Sequence, residues 1–289
     1  MKQFQTISKK DAFGRLVFSI LIILTIMIGT NFLFPFSSSA NHPVLVEGDT
    51  DFDGDGLLGI AENTDNSTDR IFGTITAALD MPNGGANQNG RVTIVTSGRF
   101  PELVVITGAN GNVSLEGAPG VDANIDAVLA GATGNPERQA QPGIVVNAPS
   151  TRVITIRNIM SRNWTDGIQV TGSSRVIIDN CRLEQNVNFG IRVMGTARVA
   201  ISNCQVNGSG FRVAPGVDGT PSPGIGIRFE GQSSGTVAFS TVNGSVAAGI
   251  SNTTGNSRAV GILNVNVFDN NNRNFENINP PKGSTPGTR

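Results

Sequence analysis

The chain has 289 residues, with 36 glycines, one tryptophan, one histidine and no tyrosine, and its formal net charge is −1. Because the chain has no basic excess, nucleic acid is not expected as a partner. The single histidine, His42, lies near the N-terminus, and this nearly excludes histidine-based catalysis.

The first forty residues have the pattern of an export signal. Basic residues between Lys2 and Arg15 precede an apolar run from Leu16 to Phe36, and small residues ending at Ala40 follow it. This order predicts a secretory signal peptide, residues 1–40, with cleavage after Ala40. The apolar run is also close to membrane-spanning length, so an uncleaved N-terminal anchor stays open as the one contact with a membrane. In both cases we expect the rest of the chain to be secreted or at the cell surface.

An acidic linker, residues 41–69, follows and contains a calcium-loop pattern. The segment DFDGDGLLGIAE matches D-x-D-x-D-G-x5-E at every specified position. The predicted Ca²⁺ ligands are Asp51, Asp53, Asp55, Glu62 and, through its backbone carbonyl, Leu57. The flanking segments do not have the pattern of amphipathic helices, so the motif resembles a lone extracellular calcium loop rather than a full EF-hand. A solvated acidic linker is the alternative.

Next comes a segment that predicts a short helix, residues 72–85. Its apolar face is Ile75, Ala78 and Leu79, and Pro82 with Gly84 ends it. Such a helix would cover the first coil of a β structure and hide an open strand edge. Strands are predicted at 91–98, 103–108 and 112–120, whereas residues 121–142 are less regular.

From residue 143 onward a Gly-Ile dipeptide returns at nearly constant spacing, in steps of 24, 23, 36 and 23 residues. Its glycines are Gly143, Gly167, Gly190, Gly226 and Gly249. The long step fits an insertion of 13 residues, Phe211 to Pro223. Apolar and polar residues alternate within the units, and three strands with their turns use about 23 residues. The repeat predicts an all-β parallel β-helix over residues 70–275, with glycine at corners that need positive φ. A polar tail, residues 276–289, follows.

Stacking of the coils predicts columns of like residues. One column, Asn158, Asn180, Asn203 and Asn264 with Thr241 in the remaining coil, would form an inward asparagine ladder at a corner. The next column is predicted to be core and consists of Ile159, Cys181, Cys204, Val242 and Val265. Cys181 and Cys204 are one coil apart, and both a disulfide and two buried free thiols stay open.

Several segments carry a family resemblance. TITAALD (Thr74–Asp80), VTIVTSGRFPELVVIT (Val92–Thr107) and NVSLEGAPG (Asn112–Gly120) resemble the start of pectin-lyase-like right-handed β-helix proteins. NWTDGIQV, GIRV and GIGIRFEG resemble the right-handed β-helix repeats of bacterial exported proteins. The resemblance covers Arg70 to Phe275 and implies a right-handed parallel β-helix. It implies less about activity, because many members have no assigned reaction and the signatures of polygalacturonases and pectate lyases are absent.

Four residues are candidates for contact with a polysaccharide. Trp164, the only tryptophan, would offer an exposed stacking platform. Asp166 could act as an acid, although Asp-Gly is also an ordinary turn. Arg212 and Asp218 are candidates because loops on one face usually form the binding surface of a solenoid.

Two functions are therefore open. The first is an exported, non-catalytic module that binds a polysaccharide or cell-envelope glycan, or serves as a rigid surface element. The second is a polysaccharide lyase or glycoside hydrolase of the pectin-lyase-like group. An enzyme should bring two or three carboxylates and an arginine together in a groove beside the insertion, and a structural element should not.

Overall fold

The computed structural model describes residues 44–46, 71–72, 74–80, 90–109, 111–127, 141–210, 224–256, 258–268 and 273–278. The predicted export signal, the calcium loop, the insertion and most of the polar tail lie outside the described residues. Among the described residues, no helix is long and apolar enough to cross a membrane.

Short strands make up almost all of the regular structure. They are β1 (Val44–Val46), β2 (Ile71–Phe72), β3 (Arg91–Ile94), β4 (Gly98–Phe100), β5 (Val104–Ile106), β6 (Val113–Gly117), β7 (Ala123–Asp126), β8 (Ile144–Val146), β9 (Val153–Arg157), β10 (Ile159–Arg162), β11 (Asp166–Val170), β12 (Arg175–Asp179), β13 (Arg182–Glu184), β14 (Phe189–Val193), β15 (Arg198–Ser202), β16 (Gln205–Asn207), β17 (Ile225–Phe229), β18 (Ser234–Ala238), β19 (Thr241–Asn243), β20 (Ala248–Asn252), β21 (Val260–Leu263), β22 (Asn266–Phe268) and β23 (Arg273–Glu276). Within the described ranges there is one helix, α1 (Ile75–Asp80), between β2 and β3.

The strands form three parallel sheets whose strand order follows the coils of a solenoid. Sheet A has nine strands in the order β2-β1-β3-β6-β9-β12-β15-β18-β21. Sheet B has seven in the order β22-β19-β16-β13-β10-β7-β4, and sheet C has seven in the order β23-β20-β17-β14-β11-β8-β5. Each complete coil gives one strand to each sheet, as β12, β13 and β14 do. The fold is the predicted parallel β-helix.

Stacking of equivalent residues builds the core. The isoleucines of the Gly-Ile repeat pair directly across sheet C, and Ile144, Ile168, Ile191, Ile227 and Ile250 are all 0% exposed. Because neighbouring strands lie about 4.8 Å apart, each buried side chain covers the one below it. The repeat in the sequence is therefore the repeat of the core.

The Gly-Ile repeat needs glycine because the neighbouring coil leaves no room for a Cβ atom. A Cβ on Gly167 would lie 2.7 Å from the carbonyl oxygen of Gly190, and one on Gly226 would lie 2.6 Å from that of Gly249. None of these four glycines has positive φ. The constraint on the repeat glycines is the close approach of consecutive coils. The predicted positive φ at corners occurs at other glycines, Gly172, Gly195 and Gly231, with φ of 68°, 68° and 69°.

The asparagine ladder lies at the corner between sheets A and B. Asn158, Asn180 and Asn203 have φ of 55°, 51° and 54°, and Asn180 donates a hydrogen bond to Asn158 Oδ1 at 2.8 Å. The side chains are half-buried or exposed, so the expected inward orientation is wrong. The remaining coil places Phe239, with φ of 48°, at this corner instead of Thr241. This one coil is thus two residues out of the predicted alignment, whereas Asn264, with φ of 48°, lies at the corner of the next coil as predicted.

The neighbouring core column shifts in the same way. Ile159, Cys181 and Cys204 are buried and follow one another in register, but the next coil contributes Ser240 rather than Val242. Ser240 Oγ accepts a hydrogen bond from the Cys204 amide at 3.1 Å, so the hydroxyl is satisfied. Val242 is buried two positions further along the chain, beside Val206.

Both cysteines are free, buried thiols in the structure. Burial raises the pKa of the Cys181 thiol well above its ordinary value. A buried thiol that stays protonated behaves as a small apolar side chain, so the pair fills the core column.

The start of the solenoid differs from the predicted linker. Val44–Val46, inside the predicted linker, forms β1 in sheet A between β2 and β3. Helix α1 buries Ile75, Ala78 and Leu79, as predicted, and contacts β1, β2, β3 and β5. The carboxylate of Glu102 accepts hydrogen bonds from the amides of Ile75 and Thr76 at 2.8 and 2.9 Å. These bonds satisfy donors that the first turn of a helix leaves free.

Candidate functional site

Trp164 is part of the core and is not an exposed platform. Its side chain is 0% exposed, and its indole Nε1–H donates to the carbonyl oxygen of Ile125 at 2.9 Å. The residue before it, Asn163, has φ of 63°, so the backbone turns just before the buried indole. The interpretation of Trp164 as a sugar contact is wrong, because a buried indole cannot stack on a ligand.

Asp166 begins β11 and is buried at the outer side of sheet C. Its side chain is 3% exposed, and Oδ1 has no hydrogen-bond partner among the described residues. Burial raises the pKa of Asp166 from 3.8 to about 7, the Arg192 guanidinium opposes this rise, and Glu230 adds to it. At neutral pH this carboxyl group is therefore poised between its protonated and ionised forms.

Arg192 and Arg228 lie side by side next to Asp166, and one carboxylate holds both. They pair directly on β14 and β17. Arg192 Nη2 donates to Glu230 Oε2 at 3.0 Å, and Arg228 Nε lies 2.6 Å from Glu230 Oε1. Arg192 Nη1 is also 3.8 Å from Asp166 Oδ2. Glu230, just after β17, therefore fixes two guanidinium groups of adjacent coils.

An aromatic ring supports the same two arginines. Phe189 is buried, and the guanidinium carbons of Arg192 and Arg228 lie 5.0 and 5.6 Å from its ring centroid. Phe189 packs with Ile225 and Ala248 in a small cluster apart from the main core. Cation–π contact and the shared carboxylate together restrict how far the two arginine side chains can move.

These arginines belong to a row that follows the solenoid axis. Gln169, Arg192 and Arg228 are direct neighbours on β11, β14 and β17, and all three are half-buried. We call these three residues the sheet C row. Its donors repeat at the strand spacing of about 4.8 Å, so a linear ligand lying along the axis would meet one polar group per coil.

The arrangement meets only part of what is expected of an enzyme. Two carboxyl groups and two arginines converge on sheet C, from β11, β14 and the end of β17. Of these strands, β17 is the one that follows the insertion in the sequence. However, Asp166 is nearly inaccessible, and both oxygens of Glu230 face arginine nitrogens. Asp166 and Glu230 thus lie close together, but neither carboxyl group is available to a ligand.

Of the four predicted ligand residues, one belongs to this cluster of charged side chains. Asp166 lies in the cluster and Trp164 does not, whereas Arg212 and Asp218 lie outside the described residues. Arg192, Arg228 and Glu230 were not predicted. A signal for the arginines is present in the sequence, because both stand two positions after a repeat glycine, where strand alternation points side chains outward.

No metal site can be assigned among the described residues. They contain no group of three His, Cys, Asp or Glu side chains that could hold a metal ion. The predicted ligands Asp51, Asp53, Asp55, Leu57 and Glu62 lie outside the described residues.

Comparison with protein families agrees with the architecture. The family model described as right handed beta helix region matches residues 132–275, which include β8 to β22. No curated protein and no solved structure matches the chain. The three parallel sheets and the family match together identify a right-handed parallel β-helix.

Proposed function

We propose that this right-handed β-helix is an exported, non-catalytic module that binds a polysaccharide along the sheet C row. The observation that supports the proposal is the ordered pair Arg192 and Arg228, held by Glu230 over the ring of Phe189. Side chains fixed before binding lose little conformational entropy when a ligand arrives. A row of such donors parallel to the axis matches the shape of a linear polymer.

The charge balance of the row favours hydroxyl groups as its targets. Glu230 offsets much of the charge of the two guanidinium groups, and their side chains remain 30% and 24% exposed. Guanidinium groups carry five N–H donors each, more than the contacts with Glu230 use. The remaining donors, together with the amide of Gln169, can bond sugar hydroxyl groups without a full negative charge on the ligand.

The insertion is the second part of this proposal. Residues 211–223 lie between β16 and β17 in the sequence, and Arg212 and Asp218 remain proposed ligand residues. Loops that emerge on one face of a solenoid usually contribute to its binding surface. Deletion of 211–223 with the fold retained should therefore weaken binding, and unchanged binding would place the site elsewhere.

A pull-down with insoluble polysaccharides tests the proposal. We expect wild-type protein to be retained by at least one of cellulose, chitin, peptidoglycan or calcium pectate gel. Arg192→Gln and Arg228→Gln should each weaken retention about tenfold or more, as expected for a central arginine. Arg182→Gln is the matched control, because Arg182 is exposed on sheet B and pairs with Glu184 of its own strand. Equal retention of all three variants would overturn the assignment of the site.

Catalysis by a polysaccharide lyase or glycoside hydrolase is the second candidate. It is favoured by one observation, the pKa of about 7 at Asp166 beside Glu230 and Arg192. A buried acid with a raised pKa beside a second carboxyl group is a common arrangement in acid–base catalysis. In this case Asp166 would donate a proton and Glu230 would be the second carboxyl group, after a movement that exposes both.

An assay for polysaccharide cleavage distinguishes the binding module from the enzyme. Wild-type protein is incubated with each retained polysaccharide, and new reducing ends and unsaturated products are measured. Products that disappear in Asp166→Asn, while retention is unchanged, would support the enzyme. Retention without products at any pH from 5 to 9 would support the binding module.

Calcium binding by Asp51, Asp53, Asp55, Leu57 and Glu62 is also proposed, on the sequence pattern alone. Clustered carboxylates repel one another without a cation, so binding should order the loop, with dissociation constants of about 10⁻⁴ to 10⁻³ M. Limited proteolysis should cut residues 49–69 faster in chelator than in millimolar Ca²⁺, and Asp53→Ala should abolish the difference. Cleavage that ignores calcium in the wild type would identify the segment as an acidic linker.

A further inference from the structure

Two arginines on sheet A differ from most others on the solenoid because their charges are not compensated. Arg175 and Arg198 begin β12 and β15, pair directly with each other and are exposed. Neither guanidinium forms an ion pair or a hydrogen bond with any residue that the structure describes. Ion pairs with carboxylates are formed instead by Arg91, Arg99, Arg157, Arg162, Arg182, Arg192 and Arg228.

The carboxylate on the same strand as Arg175 already has other partners. Asp179, at the other end of β12, accepts hydrogen bonds from Ser202 Oγ at 2.7 Å and Asn203 Nδ2 at 2.8 Å, and lies 3.2 Å from Arg157 Nε. Like charges directly opposite each other on neighbouring strands destabilise a sheet. The fold thus keeps an unneutralised pair of positive charges that an external anion would relieve.

A shallow groove runs between these charges and the middle of the sheet. Its volume is about 480 Å³, and its lining includes Val153, Ile177, Ala200 and Thr236. Ile177 is 38% exposed, which is unusual for a large aliphatic side chain in this structure. The groove crosses several strands, so its long dimension follows the solenoid axis. It combines an apolar floor with a basic edge.

We propose that this groove binds a sulfated polysaccharide, with a sulfate ester between Arg175 and Arg198 and the sugar rings on Ile177 and Ala200. A sulfate ester has three terminal oxygens, so it can accept hydrogen bonds from two guanidinium groups at once. A carboxylate can also bridge two arginines, as Glu230 does on sheet C, but it then offers only one oxygen to each guanidinium. The apolar floor suits the C–H faces of sugar rings, which a small free anion lacks.

The composition of the chain argues against a nucleic acid as the occupant. Its net charge is −1 and its pI is about 5.9, whereas nucleic-acid-binding surfaces need several phosphate contacts from a strongly basic patch. The site is also separate from the sheet C row and shares no residue with it. Failure of one site therefore leaves the other untouched.

Binding of dextran sulfate, with unsulfated dextran as the reference polymer, tests the inference by calorimetry at low ionic strength. We expect the wild type to bind dextran sulfate and not dextran, and binding to weaken as salt is added. Arg175→Gln with Arg198→Gln should weaken binding at least tenfold. Ala200→Glu, which places a negative charge on the exposed floor, should do the same without removing an arginine.

Arg182→Gln is the matched control, since it removes one exposed charge from sheet B, and it should bind like the wild type. Circular dichroism of each variant checks that the fold is retained. Three results would each overturn the proposal: no binding of dextran sulfate by the wild type, equal weakening by Arg182→Gln, or equally tight binding of polygalacturonate, single-stranded DNA or anionic lipid vesicles. Unchanged binding by the folded double variant would also overturn it.

Discussion

Asp166 Oδ2 lies 3.8 Å from Arg192 Nη1, and the guanidinium does not offset the cost of burying this carboxyl group. The pKa of Asp166 rises to about 7 although a positive charge is adjacent, because desolvation is the larger effect. Glu230 competes for the same guanidinium at 3.0 Å. Of the two carboxyl groups near Arg192, Asp166 is therefore the more distant, and burial is the main cause of its raised pKa.

Asp166→Asn should remove a pH dependence from stability. A carboxyl group whose pKa is higher in the folded state contributes its full stability below its unfolded pKa, and this is lost as pH rises through the folded value. The window therefore runs from about pH 4 to about pH 7. Across it the wild type should lose roughly 4 kcal/mol relative to Asp166→Asn, which has no charge to bury. Urea unfolding at pH 4, 5.5, 7 and 8 measures the difference, and a difference that is constant with pH would contradict the pKa assignment.

Cys204→Asp should prevent folding. Cys204 is 1% exposed in the core column between Cys181 and Ser240, so the substitution buries a charge with no positive partner. Gln205→Asp is the control, because Gln205 is the next residue and is exposed. We expect no cooperative unfolding transition for Cys204→Asp and a nearly unchanged one for Gln205→Asp. A soluble, cooperative Cys204→Asp protein would refute the register.

Phe239→Asn should stabilise the protein. Phe239 is 56% exposed and has φ of 48°, a conformation that costs most residues about 1 to 2 kcal/mol and asparagine less. The substitution restores the residue found at this corner in the neighbouring coils. A gain of about 1 kcal/mol in the free energy of unfolding is expected. A loss of stability would mean that packing of the exposed ring outweighs the backbone strain.

Gly226→Ala should destabilise the solenoid by about 1 to 3 kcal/mol, because its Cβ would overlap the Gly249 carbonyl oxygen and the Val242 side chain. Gly98→Ala is the matched control, since a Cβ at Gly98 meets no atom within 4 Å. Gly98 also lies in a strand, where alanine is tolerated as well as glycine. Equal thermal midpoints for the two variants would contradict the close approach of the coils.

The sequence was sufficient for the architecture because the repeat is also the unit of packing. The Gly-Ile dipeptides at steps near 23 residues mark the strands of sheet C. The alternation of apolar and polar residues indicates which face of each strand is buried. The register failed only after the insertion, where Phe239 takes the place of the corner asparagine and Ser240 that of the core cysteine. Alignment by residue type misplaced that coil, because the corner repeats the positive φ of the backbone and not the asparagine side chain.

The candidate site was harder to predict because its members come from three coils. Asp166, Arg192 and Glu230 are 26 and 38 residues apart, and their contact depends on strand register. The outward position of Arg192 and Arg228 follows from strand alternation alone. The burial of Asp166 and Trp164 does not, since it depends on how the turn before β11 folds against the neighbouring coils.

Hydrogen–deuterium exchange with and without a retained polysaccharide is the most direct test of the sheet C row. Soluble fragments of that polysaccharide are added at saturating concentration, and exchange is followed by mass spectrometry of peptides. The account predicts slower exchange in peptides that contain β11, β14 and β17 (166–170, 189–193 and 225–229), and no change in sheet B. Protection confined to sheet B, or no protection on sheet C at saturation, would contradict it.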